Sequence, residues 1–334
     1  MKRHAIDAAE AARALAEADF TDIPDRFGRA GFDVRLPARG ILQITSPAQR
    51  GKRLSVLLSV GVHGDETAPI EMLAYLLTAL ARVPHALAVD LMVVVGNPDA
   101  IRQGRRFVDV DMNRLFSSAR KAPLQAAEAA RADLIMSATA AFFSAPATAK
   151  WHLDLHTAIR RSHYPKFAII PEATGAAGKA AMLAWLGGAG IAAVILNPKP
   201  ASTYSAYTAH EFGAVSCTAE LGQAGVLGRN DLHQLADMQA AIDALIRSGV
   251  TQPLHLHAPH VFQVVQEIIK RSDAFQMELD RATQNFTALA PEALIARDGA
   301  SMYRVGPVTE YVVFPNPDVH IGQRAGLMVV LSEK

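Results

Sequence analysis

The chain has 334 residues, of which 50% are hydrophobic and 19% are charged, and its formal net charge at pH 7 is +1. A chain of this length can bury a large core in one domain or two, and so small a net charge favours neither nucleic acid nor a membrane surface as a partner. The single cysteine excludes both an internal disulfide framework and a cysteine-rich zinc module.

The N-terminal stretch MKRHAIDAAEAARALAEADF predicts an amphipathic helix, because charged residues interrupt its apolar positions. A signal peptide would need a continuous apolar segment there. The sequence also lacks the run of about 18 apolar residues that a membrane-spanning helix needs. We therefore expect a cytoplasmic protein that does not cross a membrane.

Strands and helices alternate from residue 53 to about residue 248. The short aliphatic run 53–60 predicts a strand buried on both faces, and the leucine spacing at 67–82 predicts a helix with Pro69 in its first turn. The next predicted elements are a strand in 88–100, a helix over about 124–143, strands at 151–157 and 166–171, a helix at 179–190, strands at 191–196 and 214–222, and a helix at 230–249 capped by Asn230. This alternation predicts an α/β fold with a mainly parallel or mixed central sheet flanked by helices.

The pattern changes after residue 250. Short β-type runs follow with glycine and proline between them, at 260–270, 293–298, 301–305, 310–315 and 327–332. We therefore predict two domains, a larger α/β domain at 1–250 and a smaller β-rich domain at 251–334.

Polar residues with metal-binding chemistry follow the first buried strand. GVHGDE at 61–66 places His63 and Glu66 three residues apart in a glycine-flanked loop, and open α/β sheets bind ligands at the carboxyl ends of their strands. Catalytic zinc sites use three protein ligands, with two histidines and one glutamate as one known set, and leave a fourth position open. Alone, the pair is weak evidence, since a solvated loop pair would look the same.

The strand HLDLHT supplies candidates for the third ligand. Side chains alternate along a strand, so Asp154 and His156 share one face. His156 is the preferred ligand because it lies nearer the end of the strand. Asp154 is then expected to orient a liganding imidazole, that of His63. His152 has the same parity, so one of these two histidines can instead be a buried structural residue.

Glu220 closes the apolar run of a later strand, CTAELG. A carboxylate buried there would be costly without a partner or a purpose. Beside a metal ion it could take a proton from water and pass it to a leaving amine. The alternative is a surface glutamate at the end of a strand.

The stretch GRRFVDVDMNRLF at 104–116 has acidic residues in alternation, which resembles a calcium loop. An EF-hand needs glycine at the sixth position and glutamate at the twelfth. Arg114 and Arg120 occupy those positions when the loop begins at Asp109, so calcium is excluded. Arg105, Arg106 and Arg114 offer planar donors for carboxylates or for a developing oxyanion. Solvated surface arginines are the alternative.

These segments together resemble the succinylglutamate desuccinylase family, within the wider aspartoacylase and zinc-carboxypeptidase-like group. The matching segments are GVHGDETAPIEML, GNPDAIRQGRRFVDVDMNRLF, WHLDLHTAIR, CTAELGQAGVLGRNDL and VVFPNPDVHIGQRAGLM. One departure is Asp65, where related enzymes often carry asparagine.

The resemblance implies roles for individual residues. It implies one zinc ion held by His63, Glu66 and His156, with Glu220 as general base and acid. It further implies that Arg106 polarises the scissile carbonyl and that Asn113 and Arg114 bind a substrate carboxylate. Arg105 is expected to be a further substrate-binding residue.

The expected reaction is zinc-dependent hydrolysis of the amide of N-succinyl-L-glutamate, a step of arginine catabolism. The expected partner is therefore a small acidic substrate, with no nucleic acid or membrane, and a homodimer is one option for the oligomeric state. One alternative is an aspartoacylase-like deacylase of another N-acyl amino acid. Another is a non-catalytic zinc protein that only binds acidic metabolites. A peptidase is less favoured because the C-terminal domain should restrict access to small substrates.

Overall fold

The structure is a computed structural model that describes residues 8–46, 53–117, 120, 125–252 and 258–332. Its α-helices are α1 (Ala8–Ala16), α2 (Ile23–Arg29), α3 (Ala68–Ala81), α4 (Pro98–Gln103), α5 (Ala127–Phe143), α6 (Gly175–Gly188), α7 (Tyr204–Phe212) and α8 (Ala236–Ser248). Its first eight strands are β1 (Asp33–Ala38), β2 (Ile41–Thr45), β3 (Arg53–Val60), β4 (Asp90–Val95), β5 (Ala147–Ala158), β6 (Lys166–Pro171), β7 (Ala193–Asn197) and β8 (Val215–Gln223). The remaining strands are β9 (His260–Ile269), β10 (Phe275–Met277), β11 (Thr287–Leu289), β12 (Leu294–Asp298), β13 (Ser301–Arg304), β14 (Glu310–Val313) and β15 (Arg324–Leu331).

A twelve-stranded sheet runs through the molecule in the order β1-β2-β4-β3-β5-β8-β6-β7-β9-β15-β14-β11. Strands β4, β3, β5 and β8 are mutually parallel, whereas β6 runs antiparallel to β8. The sheet is therefore mixed, and it has helices on both faces. This confirms the predicted α/β class. The carboxyl ends of β3, β5 and β8 meet at one edge, where the loops that carry the candidate residues begin.

Alternation along the central strands separates two cores. Leu58 of β3 packs into the cluster that contains residues of α1, α3, α6 and α8, whereas its neighbour Leu57 packs into the cluster under α5 and α7. Strand β5 follows the same rule, since Trp151, Leu153 and Leu155 all face the first cluster. The intervening residues of β5 therefore point to the other face, and these are His152, Asp154 and His156.

The C-terminal part of the chain is rich in β-structure, as predicted. Strand β9 pairs in parallel with β7, and β15, β14 and β11 continue the same sheet beyond it. Strands β10, β12 and β13 form a separate three-stranded sheet. Backbone hydrogen bonds between β7 and β9 therefore join the C-terminal strands to the sheet formed by the strands before residue 250.

The predicted cap of the last long helix is wrong. A 3₁₀ turn at Leu232–Leu235 precedes α8, and the side chain of Asp231 caps that turn by accepting a hydrogen bond from the His233 N–H. Asn230 instead donates its side-chain amide to Glu71 and to Thr67 Oγ1. Because Glu71 is buried, leaving its carboxylate without a hydrogen-bond donor would cost free energy, and Asn230 supplies that donor.

The predicted N-terminal helix is present as α1, and residues 1–7 of that prediction lie outside the described residues. In the described part of the chain, no helix is both long enough and apolar enough to span a membrane.

Candidate active site

The loop after β3 has a backbone path that only small residues permit. Gly61 has a φ of +63°, in the left-handed region. A Cβ on Gly64 would lie 2.3 Å from the backbone of Ala100 and Ile101, because α4 passes directly against the loop. This close approach holds His63 and Glu66 inward, and both side chains are buried.

Three side chains meet at the carboxyl ends of β3 and β5. His63 Nδ1 lies 2.9 Å from Glu66 Oε1, and His156 Nδ1 lies 2.8 Å from Glu66 Oε2. One potential ligand atom from each of His63, Glu66 and His156 lies within 4.8 Å of the others. The structure thus brings together two imidazoles and a carboxylate, which is the donor set of one class of catalytic zinc sites.

A second carboxylate faces the outer nitrogen of each imidazole. His63 Nε2 lies 2.9 Å from Asp111 Oδ1, and His156 Nε2 lies 3.1 Å from Asp154 Oδ2. Such carboxylates fix the orientation of a liganding imidazole and raise its basicity. Both Nδ1 atoms face Glu66, and a carboxylate lies beside each Nε2 atom. This arrangement of donor atoms fits a metal ion.

The expectation that Asp154 orients His63 is wrong, because Asp154 contacts His156 and the partner of His63 is Asp111. Asp154 and His156 are two residues apart on one strand, so their side chains are adjacent on one face. His63 lies in the loop, where the segment that carries Asp111 reaches it from the side.

Electrostatics in this group favour carboxylates that stay ionised. Burial alone would raise the pKa of Glu66, but His63 and His156 outweigh it and hold that pKa well below the usual value. Burial alone would lower the pKa of His156, but Asp154 and Glu66 raise it well above the usual value. The imidazoles therefore hold protons strongly without a metal, and a divalent cation would replace those protons as it binds.

Glu220 lies at the carboxyl end of β8, directly opposite His156 in the register of the two strands. Its side chain is buried, and its Oε2 has no hydrogen-bond partner in the part of the chain that the structure describes. Burial and the negative charge of Glu66 raise the pKa of Glu220 to about 7. A carboxyl group with this pKa can both accept and release a proton near neutral pH.

The two neighbouring arginines have different positions. Arg106 Nη1 donates to Glu66 Oε1 at 2.8 Å, and 29% of its side chain is exposed. Arg105 is exposed at the surface. The structure therefore brings Arg106 to the candidate ligands and leaves Arg105 at the rim.

Asn113 and Arg114 follow Asp111 in a 3₁₀ turn. Asn113 is buried, and its Oδ1 accepts a hydrogen bond from the backbone N–H of Tyr204 at 2.9 Å. Arg114 is half exposed, and its Nη2 lies 3.8 Å from Asp111 Oδ2. Arg114 is thus available to a ligand in solution, whereas Asn113 also ties this turn to the start of α7.

His152 lies apart from the group of three. Its Nε2 lies 2.8 Å from Ser59 Oγ and its Nδ1 lies 2.7 Å from Thr208 Oγ1, and the side chain is fully buried. Ser59 also donates to Asp154 Oδ1 at 2.6 Å. His152 is therefore a hydrogen-bonded structural residue beneath the site, and His156 is the histidine that meets His63 and Glu66.

Comparison with known proteins gives the family. The model of the succinylglutamate desuccinylase/aspartoacylase catalytic domain matches residues 52–246, and the model of the AstE/AspA barrel-sandwich hybrid domain matches residues 257–332. The chain belongs to the succinylglutamate desuccinylase/aspartoacylase family. The resemblance of the motif segments is thereby confirmed.

Several curated relatives in this family are named succinylglutamate desuccinylase. The succinylglutamate desuccinylase of Burkholderia lata is 46% identical over 280 residues, which are 83% of this chain and 79% of that protein. Two solved structures of succinylglutamate desuccinylases match the fold. The Vibrio parahaemolyticus structure has a TM-score of 0.80 at 30% identity, covering 91% of this chain and 89% of that one. The Chromobacterium violaceum structure has a TM-score of 0.79 at 36% identity, covering 91% and 92%.

Glu128 supports the site, and the sequence analysis did not identify it. It lies in the first turn of α5, fully buried, and accepts hydrogen bonds from the backbone N–H groups of Val108, Asp109 and Val110 and from Asn97 Nδ2. These bonds hold the segment between Arg106 and Asp111. An acidic residue in a first helical turn is common, so the sequence contains no signal that would single out Glu128.

Proposed function

We propose that this chain hydrolyses the amide bond of N-succinyl-L-glutamate to succinate and L-glutamate, with one zinc ion held by His63, Glu66 and His156. The observation that carries the proposal is the convergence of these three buried side chains, with Glu220 beside them. The names of the relatives, 45% to 46% identical over most of the chain, supply the substrate.

Zinc, when bound, supplies a Lewis acid for the amide carbonyl and makes water nucleophilic near neutral pH. Glu220 accepts the proton of the attacking water at its free Oε2 and passes that proton to the nitrogen of the leaving glutamate. Arg106 donates to the carbonyl oxygen as negative charge develops there. Losing one such oriented donor typically costs about 10²- to 10³-fold in rate.

The substrate has three carboxylates, so its binding needs cations. Arg114 and Arg105 supply two of them near the open side of the cluster, although the whole chain has a formal net charge of only +1. With its Oδ1 engaged by Tyr204, Asn113 would offer its side-chain N–H donors to a carboxylate. The donors of Arg105, Arg114 and Asn113 suit a small acidic amide better than a nucleic acid.

A cytoplasmic location, a homodimer and a division into domains at 1–250 and 251–334 are further parts of the proposal. The small net charge supports the absence of a nucleic-acid partner. The change from alternating strands and helices to short strands supports a boundary near residue 250.

The decisive experiment compares three substrates on purified protein: N-succinyl-L-glutamate, N-acetyl-L-glutamate and N-acetyl-L-aspartate. We expect the highest kcat/KM for the succinyl compound, loss of hydrolysis after chelation, and recovery with added zinc. A higher kcat/KM for N-acetyl-L-aspartate would instead support the aspartoacylase-like alternative. Binding of the acidic compounds without any hydrolysis would support the non-catalytic alternative.

A further inference from the structure

The strand that carries Glu220 changes its backbone path directly after that residue. Glu220 pairs with His156 and Gln223 pairs with Ala158, so β8 advances three residues while β5 advances two. Gly222, inside this bulge, has a φ of +106°, which favours glycine. A bulge interrupts the hydrogen-bond ladder and changes the direction of nearby side chains. The direction of Glu220 therefore depends on what fixes the chain beyond the bulge.

The chain beyond the bulge is fixed by three side chains, which we call the Asn230 cluster: Asn230, Thr67 and Glu71. Asn230 Nδ2 donates to Glu71 Oε1 and, at 2.9 Å, to Thr67 Oγ1. Thr67 Oγ1 donates to the carbonyl oxygen of Gly225 at 2.9 Å, and the Gly228 N–H donates to Glu71 Oε1. Three residues of the loop after β8 are thus hydrogen-bonded to the start of α3.

The Asn230 cluster is closely packed. Thr67 and Glu71 are both buried, so water would not readily replace a donor that is removed from them. A Cβ on Gly225 would lie 2.3 Å from Asn230 Oδ1, which shows how closely the loop backbone approaches the amide. These contacts hold the loop in one position.

The loop after β8 is joined to both segments that follow a candidate metal ligand. Thr67 directly follows Glu66 in the chain. On the other side, the Ala224 N–H donates to the carbonyl oxygen of Ala158 at 3.1 Å, two residues after His156. An anchor that only closed the loop would not need contacts on both sides. These contacts connect the strand of the candidate base to the segments that carry two candidate ligands.

We propose that Asn230, through Thr67 and Glu71, is a positioning residue that holds Glu220 in the direction that proton transfer requires. The proposal rests on the proposed function, because it assigns a support to the general base of that reaction. Asn230 acts through the backbone of the loop and is not a catalytic residue. The end of the segment CTAELGQAGVLGRNDL thereby supports the glutamate near its beginning.

The test compares Asn230→Ala with a matched control, Gln266→Ala. Gln266 Nε2 donates to the buried carboxylate of Glu310 at 2.9 Å, and Glu310 also accepts from the Gly306 N–H. Each substitution therefore removes an amide donor from a buried glutamate that a glycine N–H also contacts. Steady-state kinetics on N-succinyl-L-glutamate, zinc content by elemental analysis and urea unfolding are measured for both variants.

For Asn230→Ala we expect kcat to fall roughly 10- to 10²-fold with KM nearly unchanged, since misplacing a reacting group by about 1 Å can cost about 10²-fold. Zinc content should stay at the wild-type level, because no candidate ligand is changed. Gln266→Ala should lose comparable stability and keep its kcat. A wild-type kcat in Asn230→Ala, or an equal loss of kcat in the two variants, would overturn the proposal.

A pair of substitutions at Thr67 tests the same cluster if Asn230→Ala does not fold. Thr67→Ser keeps the hydroxyl that contacts Asn230 and Gly225, whereas Thr67→Val removes the hydroxyl and keeps the shape of the side chain. We expect Thr67→Ser to retain the wild-type kcat and Thr67→Val to lose roughly 10-fold. Equal kcat values for these two variants would overturn the proposal.

Hydrogen exchange separates this proposal from the proposed function. Wild-type turnover of N-succinyl-L-glutamate tests the function, whereas exchange is measured by mass spectrometry without substrate. We expect the segment 217–224, which includes Glu220, to exchange faster in Asn230→Ala than in wild type, and at the wild-type rate in Gln266→Ala. Unchanged exchange of this segment in Asn230→Ala would overturn the role of Asn230, even if the wild-type enzyme is active.

Discussion

Buried carboxylates are treated differently in the catalytic strands and in the C-terminal strands. Around β5, Glu66 and Asp154 face imidazole rings, and Glu220 keeps one oxygen without a partner among the described residues. In the C-terminal part, Glu310 is also buried, but it accepts hydrogen bonds from the Gly306 N–H at 2.6 Å and from Gln266 Nε2 at 2.9 Å. Burial alone therefore does not distinguish a candidate catalytic or ligand carboxylate from a structural one. The groups that the carboxylate contacts make that distinction.

Glu128 supports this distinction from within the catalytic part. Like Glu310, it is buried and satisfied by N–H donors, and it holds a loop in place. Carboxylates of this kind stabilise the backbone, because an unpaired buried charge costs several kcal/mol. Carboxylates that face titratable or cationic groups retain chemistry that a metal ion or a substrate can use.

The largest expected effect on turnover is that of a substitution at Glu220. Glu220→Gln should lower kcat by roughly 10²- to 10⁴-fold, since the side chain can no longer transfer a proton. Zinc content, measured by elemental analysis, should stay at the wild-type level. The matched variant Glu310→Gln should keep its turnover, because it changes a structural carboxylate far along the chain. Turnover of Glu220→Gln close to that of wild type would remove Glu220 from the mechanism.

Glu128→Ala should affect stability and catalysis together. Removing the shared acceptor of three backbone N–H groups is expected to lower the free energy of unfolding by about 3 kcal/mol, and kcat/KM should fall because the loop that carries Arg106 loses its support. Urea unfolding and steady-state kinetics measure the two effects. Glu128→Gln, which keeps one oxygen acceptor, should fall between the alanine variant and wild type. Two outcomes would contradict the proposed link between Glu128 and the loop. One is an alanine variant with reduced kcat/KM and unchanged stability, and the other is a variant with reduced stability and unchanged kcat/KM.

An effect that is confined to acidic pH is expected at His152. Burial is the main cause that lowers the pKa of His152 to about 4, from the ordinary histidine value of 6.5. The folded protein therefore prefers neutral His152, so its contribution to stability is complete above pH 6.5 and is lost as the pH falls toward 4. The full loss is about 3 kcal/mol. Denaturant unfolding between pH 7 and pH 4 measures it, and His152→Asn should show a shallower decline over that interval. Parallel curves for the two proteins would exclude His152 as the source.

The smallest effect is expected at an exposed C-terminal ion pair. Arg297 Nε lies 3.0 Å from Glu278 Oε1, and both side chains are largely exposed. Arg297→Ala should change the free energy of unfolding by less than about 1 kcal/mol, because solvent already screens the pair. Activity should be unchanged. A loss comparable with that of Glu128→Ala would show that the surface charges of this region matter more than the comparison implies.

Local features of the site follow from short stretches of the chain. The alternation of HLDLHT predicts that Asp154 and His156 share a face, and β5 confirms it. The glycines around His63 predict a tight loop after a buried strand, and Gly61 adopts the positive φ that such a loop uses. These features were predictable because strand alternation and glycine conformation depend on a few neighbouring residues.

Pairings between distant segments were not predictable in the same way. Asp111 is 48 residues from His63, Asn230 is 159 residues from Glu71, and neither spacing indicates contact. Glu128 likewise acquires its position from the packing of α5 against the loop that contains Val108. Residue types and local periodicity specify which elements form and which faces they bury. The partner that each buried charge meets depends on how β3, β5, β8 and the C-terminal strands assemble, because many carboxylates have the right chemistry and only the packed chain selects among them.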